Sequence, residues 1–194
     1  MSAWNLSGDT IQVETLIARV MPVNSTPLPE SETAALPPRH EPDYTMQRFT
    51  VQRFANDGRM RVQIEGDLMR HYPDTDTLEI ENPRIRAIGP DGGVTRASSV
   101  RALANGDGSE VQLFGSAQVV REAPAPQDAI EFRSEFLHAF LKTERVRSHL
   151  PVLVRQGSTE LRAEGMEYDN LARVVELKGR QRAVFVPRAK PTGP

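Results

Sequence analysis

The chain contains no cysteine, which removes a disulfide framework, a cysteine-ligated zinc and a cysteine nucleophile together. That composition suits an oxidising compartment without establishing one. No apolar run approaches the roughly 18 residues of a membrane-spanning helix, and the opening MSAWNLSGDTIQVETLIARVMPV lacks the basic-then-apolar layout of a signal peptide. An excess of one charge is missing as well. The 24 Lys and Arg and 26 Asp and Glu alternate along 194 residues to a net charge of -2, so no basic face exists to neutralise phosphates and nucleic acid is excluded as a partner.

The apparatus of catalysis is also absent. There is no Gly-x-Ser-x-Gly elbow and no Gly-x-x-x-x-Gly-Lys-Ser/Thr loop, hence no visible machinery for acyl or phosphoryl transfer. His40, His71, His138 and His149 lie far apart, with no spacing that places two imidazoles on one metal. Asp74 and Asp76 form a carboxylate pair, but at a turn tip such residues serve the backbone and stay solvated. The reading is a non-enzyme with no cofactor and no metal.

What is present is alternation. From Arg59 to Arg86, RMRVQIEGDLMRHYPDTDTLEIENPRIR reads as a long β-hairpin. Met60, Val62, Ile64 and Leu68 form one row with Gly66 among them, and Arg59, Arg61, Gln63, Glu65 and Asp67 form the other. Pro73, Asp74 and Asp76 turn the chain, and Leu78 and Ile80 resume the dry row opposite Glu79 and Glu81. Further strands are predicted at Phe49 to Phe54, Val94 to Ala104, Val111 to Arg121, Ile130 to Leu141, Val146 to Val154, Thr159 to Tyr168 and Val174 to Val186. In IEFRSEFLHAFL the phenylalanines recur every four residues, as in a helix. The row Ile130, Phe132, Ser134, Phe136, His138, Phe140 at period two favours a strand.

Residues 1 to 22 leave strand and helix open around Ile11 to Val20. Pro22, Pro27, Pro29, Pro37, Pro38 and Pro42 then mark an extended, solvated linker. The domain reading is an N-terminal segment and linker at 1–42, one domain at 43–187 and a disordered tail at 188–194. EGDLMRHYPDTDTLEIENPR at Glu65 echoes EGMEYDNLARVVELKGR at Glu164. With apolar arms recurring about every 30 residues, this predicts an all-β fold: an elongated two-sheet β-sandwich or jelly roll of repeated hairpins behind a flexible N-terminal segment.

Its inward rows would carry Phe49, Val51, Met60, Val62, Ile64, Leu68, Leu78, Ile80, Leu113, Phe132, Phe136 and Phe140. These either close as a packed core or stay open as a groove for apolar chains, and the residues alone favour the core. Arg59, Arg61, Arg145 and Arg147 are candidates for phosphates at a groove mouth, or ordinary solvated partners of Glu79 and Glu81.

The order DYTMQRFTVQRFANDG, HYPDTDTLEIENPRIR, NGDGSEVQLFGSAQVVRE and AEGMEYDNLARVVELKGR, from Asp43 to Phe185 behind a proline-rich spacer, resembles the LptC family of lipopolysaccharide export proteins. The resemblance implies a periplasmic, inner-membrane-associated jelly roll that takes lipopolysaccharide from an ABC transporter of the LptB2FG type and passes it to LptA. It favours the groove over the core, with the twelve inward residues as lipid-lining. Edge pairing with an LptA-like jelly roll is expected along the last strand, at Val174, Leu177, Arg182 and Val184, with the transporter's periplasmic domains at the opposite end. Such proteins begin with a membrane helix ahead of the spacer, so the expectation is that an anchor precedes Met1. The competing reading is a structural or carbohydrate-binding β-sandwich with a closed core.

Overall fold

A computed structural model describes residues 5–6, 9–14, 40–89, 92–122 and 128–185. Most of the linker and the tail at 188–194 lie outside the described residues. The strands are β1 (Asn5–Leu6), β2 (Asp9–Glu14), β3 (Tyr44–Phe54), β4 (Met60–Tyr72), β5 (Thr77–Glu81), β6 (Arg84–Ile88), β7 (Val94–Ser98), β8 (Arg101–Asn105), β9 (Glu110–Arg121), β10 (Ile130–Phe140), β11 (Arg145–Ser148), β12 (Val152–Gln156), β13 (Thr159–Asp169) and β14 (Val174–Phe185). All pairings are antiparallel and join one continuous 14-stranded sheet.

That sheet is folded along a crease into two layers, which the registers make plain. The second half of β4 pairs with β5 while its first half pairs with β6. The first half of β9 pairs with β8 and its second half with β7, and β10 and β13 divide in the same way between β11 and β12. One layer therefore holds β5, β8 and β11 and the other holds β6, β7 and β12. The long strands β3, β4, β9, β10, β13 and β14 run through both.

Two kinds of backbone irregularity make the crease. Some long strands bend at left-handed residues, Arg48 (φ 48°), Gly115 with Ser116 (φ 73° and 48°) and Gly179 (φ 76°). Opposite Gly115–Ser116 and Gly179–Arg180 the register slips, between Ser134 and Phe136 of β10 and between Ala163 and Gly165 of β13, so that one residue faces two bulged ones. Where the strand breaks outright, Asn82–Pro83, Ser99–Val100 and His149–Pro151 cross between layers. The predicted strands Val94 to Ala104 and Val146 to Val154, and the predicted second hairpin arm, are therefore each two short strands. Backbone bonds from Asn82 to Val100 (2.8 Å) and from Val100 to Gly115 (3.0 Å) stitch neighbouring levels along the crease.

Side-chain volume follows the wedge. Near the crease many buried residues are small, among them Gly66, Ala117, Ser134, Ser148, Ala163 and Gly165, with Phe49 and Pro83 filling the remaining space there. The buried Ser134 hydroxyl donates to the Pro151 carbonyl and the buried Ser148 hydroxyl to the Leu150 carbonyl, both at 2.9 Å, with the two hydroxyl oxygens 3.1 Å apart. A Cβ on Gly66 would stand 2.8 Å from both Phe49 and Ile80, so the space that the sequence leaves at Gly66 is filled by those two side chains. The internal repeat is structural too, since Gly66 of β4 and Gly165 of β13 both lie at the crease.

Candidate functional site

The candidate site is the apolar interior between the layers, and its lining follows from the crease. In β3, β4, β10 and β13 the inward row changes parity at the bend, whereas in β9 Val111, Leu113, Ala117 and Val119 keep one parity across Gly115–Ser116. In β10 the inward residues are Ile130, Phe132 and Ser134, then Leu137 and Ala139. In β4 they are Met60, Val62, Ile64 and Gly66, then Met69 and His71. Phe49, Ile80, Leu113 and Phe132 are buried inward as the alternation predicts. Val51, Ile64 and Leu78 pack against them partly covered, and Met60 and Val62 continue the row toward the rim.

Three expected lining residues are corrected. Leu68 lies beyond the crease on the outer row, paired with Glu81. Phe136 and Phe140 lie past the β10 bulge on the outer face, where Phe136 is paired with Phe114. There they belong to a strip of rings: Phe114 to Phe136 at 5.2 Å, Phe136 to His149 at 4.6 Å and His138 to Phe140 at 4.0 Å. Arg101 and Arg147 lie over its ends. Inward residues missed by simple alternation include Met69, Leu137, Met166 and Tyr168. The left-handed and bulge positions that shift the row carry no unambiguous sequence mark; only Gly115, Gly165 and Gly179 hint at them.

The interior is filled with its own side chains. Phe132, Leu113, Leu137 and Met166 have no exposed surface, and each such residue contributes about 1.5–3 kcal/mol by burial. Phe132 of one layer meets Tyr168 of the other with ring centroids 4.8 Å apart and an interplanar angle of 40°, so the layers touch across the interior at this level. The Tyr168 hydroxyl donates to Asn170 Oδ1 at 2.9 Å, and the Asn170 amide in turn donates to the Glu144 carboxylate. Burial raises the Tyr168 phenol above its ordinary pKa, partly offset by the charges of Arg121 and Arg173. Tyr44 is raised in the same way, by burial and then by Asp43 and Asp76.

Polar groups gather where the wedge opens. Register places Arg53 and Arg121 at the outer ends of inward rows, opposite Val62 and Thr95, and Arg121 Nη1 lies 3.4 Å from Thr95 Oγ1. Across the opening His71 stacks on Tyr44 at 4.8 Å and holds Asp43 at 2.7 Å. The arginines anticipated for the mouth are elsewhere. Arg59 is in a turn beside Asp57, Arg61 donates to the Gly89 carbonyl at 3.1 Å, and on the outer face Arg145 pairs with Asp169 and Arg147 with Glu167.

A depression of about 680 Å³ lies outside the layers, with the outer-row residues Gln118, Arg133, Leu153 and Arg162 around Ser116 and Glu135 at the crease. Among the described residues no three His, Asp or Glu side chains are grouped to hold a metal ion, and no helix is long and apolar enough to cross a membrane. At the C-terminal edge β14 pairs with β13 alone among the described residues. Val174 and Val184 are 48% and 45% exposed there. Leu177 instead packs into the core opposite Met166, and Arg182 lies opposite Arg162.

No curated protein matches the chain. Among solved structures it is similar to the crystal structure of LptH, the LptA-homologous periplasmic component of the conserved lipopolysaccharide transport device of Pseudomonas aeruginosa. Identity is 14% and the TM-score 0.56, over 65% of this chain and 95% of that chain. This likeness supports the jelly-roll fold. The family described as lipopolysaccharide-assembly, LptC-related, matches residues 15–186. The chain belongs to the LptC-related family of lipopolysaccharide-assembly proteins.

Proposed function

We propose that the protein is a periplasmic, inner-membrane-associated carrier that receives lipopolysaccharide from an ABC transporter and passes it to an LptA-like jelly roll. The observation that carries this reading is the wedge itself: two apolar layers joined along one crease and bridged across the interior by Phe132 and Tyr168. Spreading the layers exposes Ile64, Ile85, Leu78, Leu161 and their neighbours without breaking the backbone ladder at the crease. Acyl chains then take the place of the side-chain contacts. Burying half a dozen methylenes returns about 5 kcal/mol at roughly 0.8 kcal/mol each, enough to hold a lipid and still release it. Arg53 and Arg121 at the ends of inward rows are placed to meet its phosphates.

Transfer uses the sheet edge. Along Val174–Phe185 the backbone has a partner on one side only among the described residues, and an added strand would extend the wedge into the next protein. Lys178 and Arg180 on this edge are engaged with Glu167 and Glu164 at 3.7 and 3.8 Å, which lowers the repulsion toward an incoming strand. The competing reading, a closed sandwich with no lipid role, draws on the complete burial of Phe132, Leu113 and Leu137. Native mass spectrometry with purified lipopolysaccharide separates them. A stoichiometric adduct supports carriage, and its absence at concentrations where LptA-type proteins bind supports the closed sandwich.

A further inference from the structure

Along the sequence acidic and basic residues alternate, but folding sorts them by face. On the layer that holds β6, β7 and β12, an outer row beside the crease runs from Arg84 through Ser98 and Gln118 to Arg133, then through Leu153 to Arg162 and Arg182. It contains four arginines and no carboxylate. Phe132 beside Arg133 and Ala163 beside Arg162 are buried, so the guanidinium groups stand outward, at 50% and 66% side-chain exposure. The next row begins with Arg86 opposite Arg96. On the outer face of the other layer each strand arginine is matched: Arg70 by Glu79 and Glu81, Arg101 by Glu79, Arg145 by Asp169 and Arg147 by Glu167. We propose that the outer face of the β6, β7 and β12 layer docks on an anionic phospholipid surface, with its arginines on headgroup phosphates.

Two cross-strand pairs point to the ligand. Arg86 faces Arg96, and Arg162 faces Arg182, directly across neighbouring strands, which sets like charges on Cβ atoms about 5 Å apart and costs stability. The carboxylates present do not remove that cost. Arg96 is met by Glu122, and Arg162 shares Glu160 with Arg155, at 2.8 and 3.0 Å. Arg86 and Arg182 have no carboxylate among the described residues. An anion set between the members of each pair turns one repulsion into two attractions. Guanidinium fits phosphate in particular, since its planar fork presents paired N–H donors, and every cation of these two rows is an arginine. Distance selects the occupant. From Arg96 on β7 the sheet passes through β9, β10 and β12 before reaching Arg162 on β13, a span of roughly 19 Å that holds Arg133 and the depression beside it. One small anion cannot bridge that span, while a leaflet of anionic headgroups supplies phosphates across all of it, and each cation adds to the attraction. The inference takes its setting from the membrane association proposed above and does not depend on lipid carriage.

The test is co-sedimentation of the full chain with vesicles of phosphatidylglycerol and phosphatidylcholine in equal parts, and with vesicles of phosphatidylcholine alone. Arg86→Gln with Arg182→Gln removes cations from the proposed face, and Arg70→Gln with Arg101→Gln removes as many from the opposite one. The expected result is salt-sensitive binding of the parent to the mixed vesicles only. The Arg86 and Arg182 variant should bind them at least roughly tenfold more weakly and melt no lower than the parent, because it loses its like-charge pairs. The Arg70 and Arg101 variant should bind much as the parent does. Equal losses in the two variants would reduce the effect to net charge and overturn the face assignment, and a lower melting temperature of the first would overturn the like-charge pairs as its basis. Binding to phosphatidylcholine alone overturns the phosphate assignment. No binding to either vesicle overturns the bilayer as occupant, and binding to soluble polyphosphate would then name a linear polyanion in its place. Native mass spectrometry with lipopolysaccharide reads carriage separately: vesicle binding without a lipopolysaccharide adduct keeps the face and removes the carrier, and an adduct without vesicle binding does the reverse.

Discussion

Phe132 and Tyr168 face each other across the interior from opposite layers, with centroids 4.8 Å apart, although 36 residues, the difference of their numbers, separate them along the chain. Neither ring sits at the crease, where the backbone ladder already holds the layers together. Their contact adds closure part-way along the wedge, so it both stabilises the protein and stands in the way of a lipid.

Replacing Phe132 by Ala should therefore cost about 3–5 kcal/mol, as for other buried aromatic truncations. Tyr168→Phe keeps the ring contact and removes only the bond to Asn170, costing about 0.5–1.5 kcal/mol. Urea unfolding of the two variants checks both values. A Phe132→Ala loss below about 1 kcal/mol would mean that the layers are not held by this contact.

Gly66→Ala tests the taper of the wedge. The added methyl would stand 2.8 Å from Phe49 and Ile80 and 3.1 Å from the Glu81 carbonyl, and the backbone atom cannot yield. The expected destabilisation is about 1–3 kcal/mol, read as a lower urea midpoint at unchanged slope.

The corrected lining makes a sharper contrast. Phe136→Thr alters the outer face and should leave lipopolysaccharide binding unchanged. Ile64→Asp places a carboxylate on the inward row and should abolish it, at a cost of several kcal/mol in stability. Fluorescence titration of both variants, with melting temperatures alongside, decides the matter. Equal losses from the two would return Phe136 to the lipid path.

These corrections show what was legible in the sequence. Period-two alternation on either side of each bend marked the strands, and turn residues such as Asn56-Asp57-Gly58 and Asn105-Gly106-Asp107-Gly108 marked the hairpin ends. Parity across the crease was not legible. Arg48 and Ser116 adopt left-handed φ without being glycine, and Glu135 stands alone opposite the Gly115–Ser116 bulge of the neighbouring strand, so extending one row through Leu68 or Phe136 put those residues on the wrong face. The mouth arginines were missed for another reason. Arg53 and Arg121 need no such shift, since each continues the row of its own strand, Phe49 and Val51 in β3 and Leu113, Ala117 and Val119 in β9; the apolar pattern simply gave no reason to single out the charged residue at the end of a row.

Acid sensitivity should centre on the β8–β9 turn. The Asp107 carboxyl is held well below the usual carboxylate range by Lys142 at 2.7 Å, and then by the Ser109 hydroxyl and backbone N–H. A carboxyl depressed in the folded state contributes stability above its unfolded pKa of about 3.9, lost as pH falls from there toward the folded value. Asp107→Asn should thus flatten the fall in stability below about pH 4 while changing it little below the folded value. Urea midpoints at neutral and acidic pH read the difference. An unaltered slope would assign the acid response to other carboxylates, Asp169 beside Arg145 first.

The central claim, that lipid travels between the layers, is tested most directly by photo-crosslinking in cells with benzoylphenylalanine placed singly at Phe132, Ile64 and Phe136. Phe132 and Phe136 lie on one strand, on opposite sides of the bulge and of the sheet. The account predicts lipopolysaccharide adducts from positions 132 and 64 and none from 136. Adducts from 136 with none from 132 or 64 would place the lipid on the outer face and contradict it.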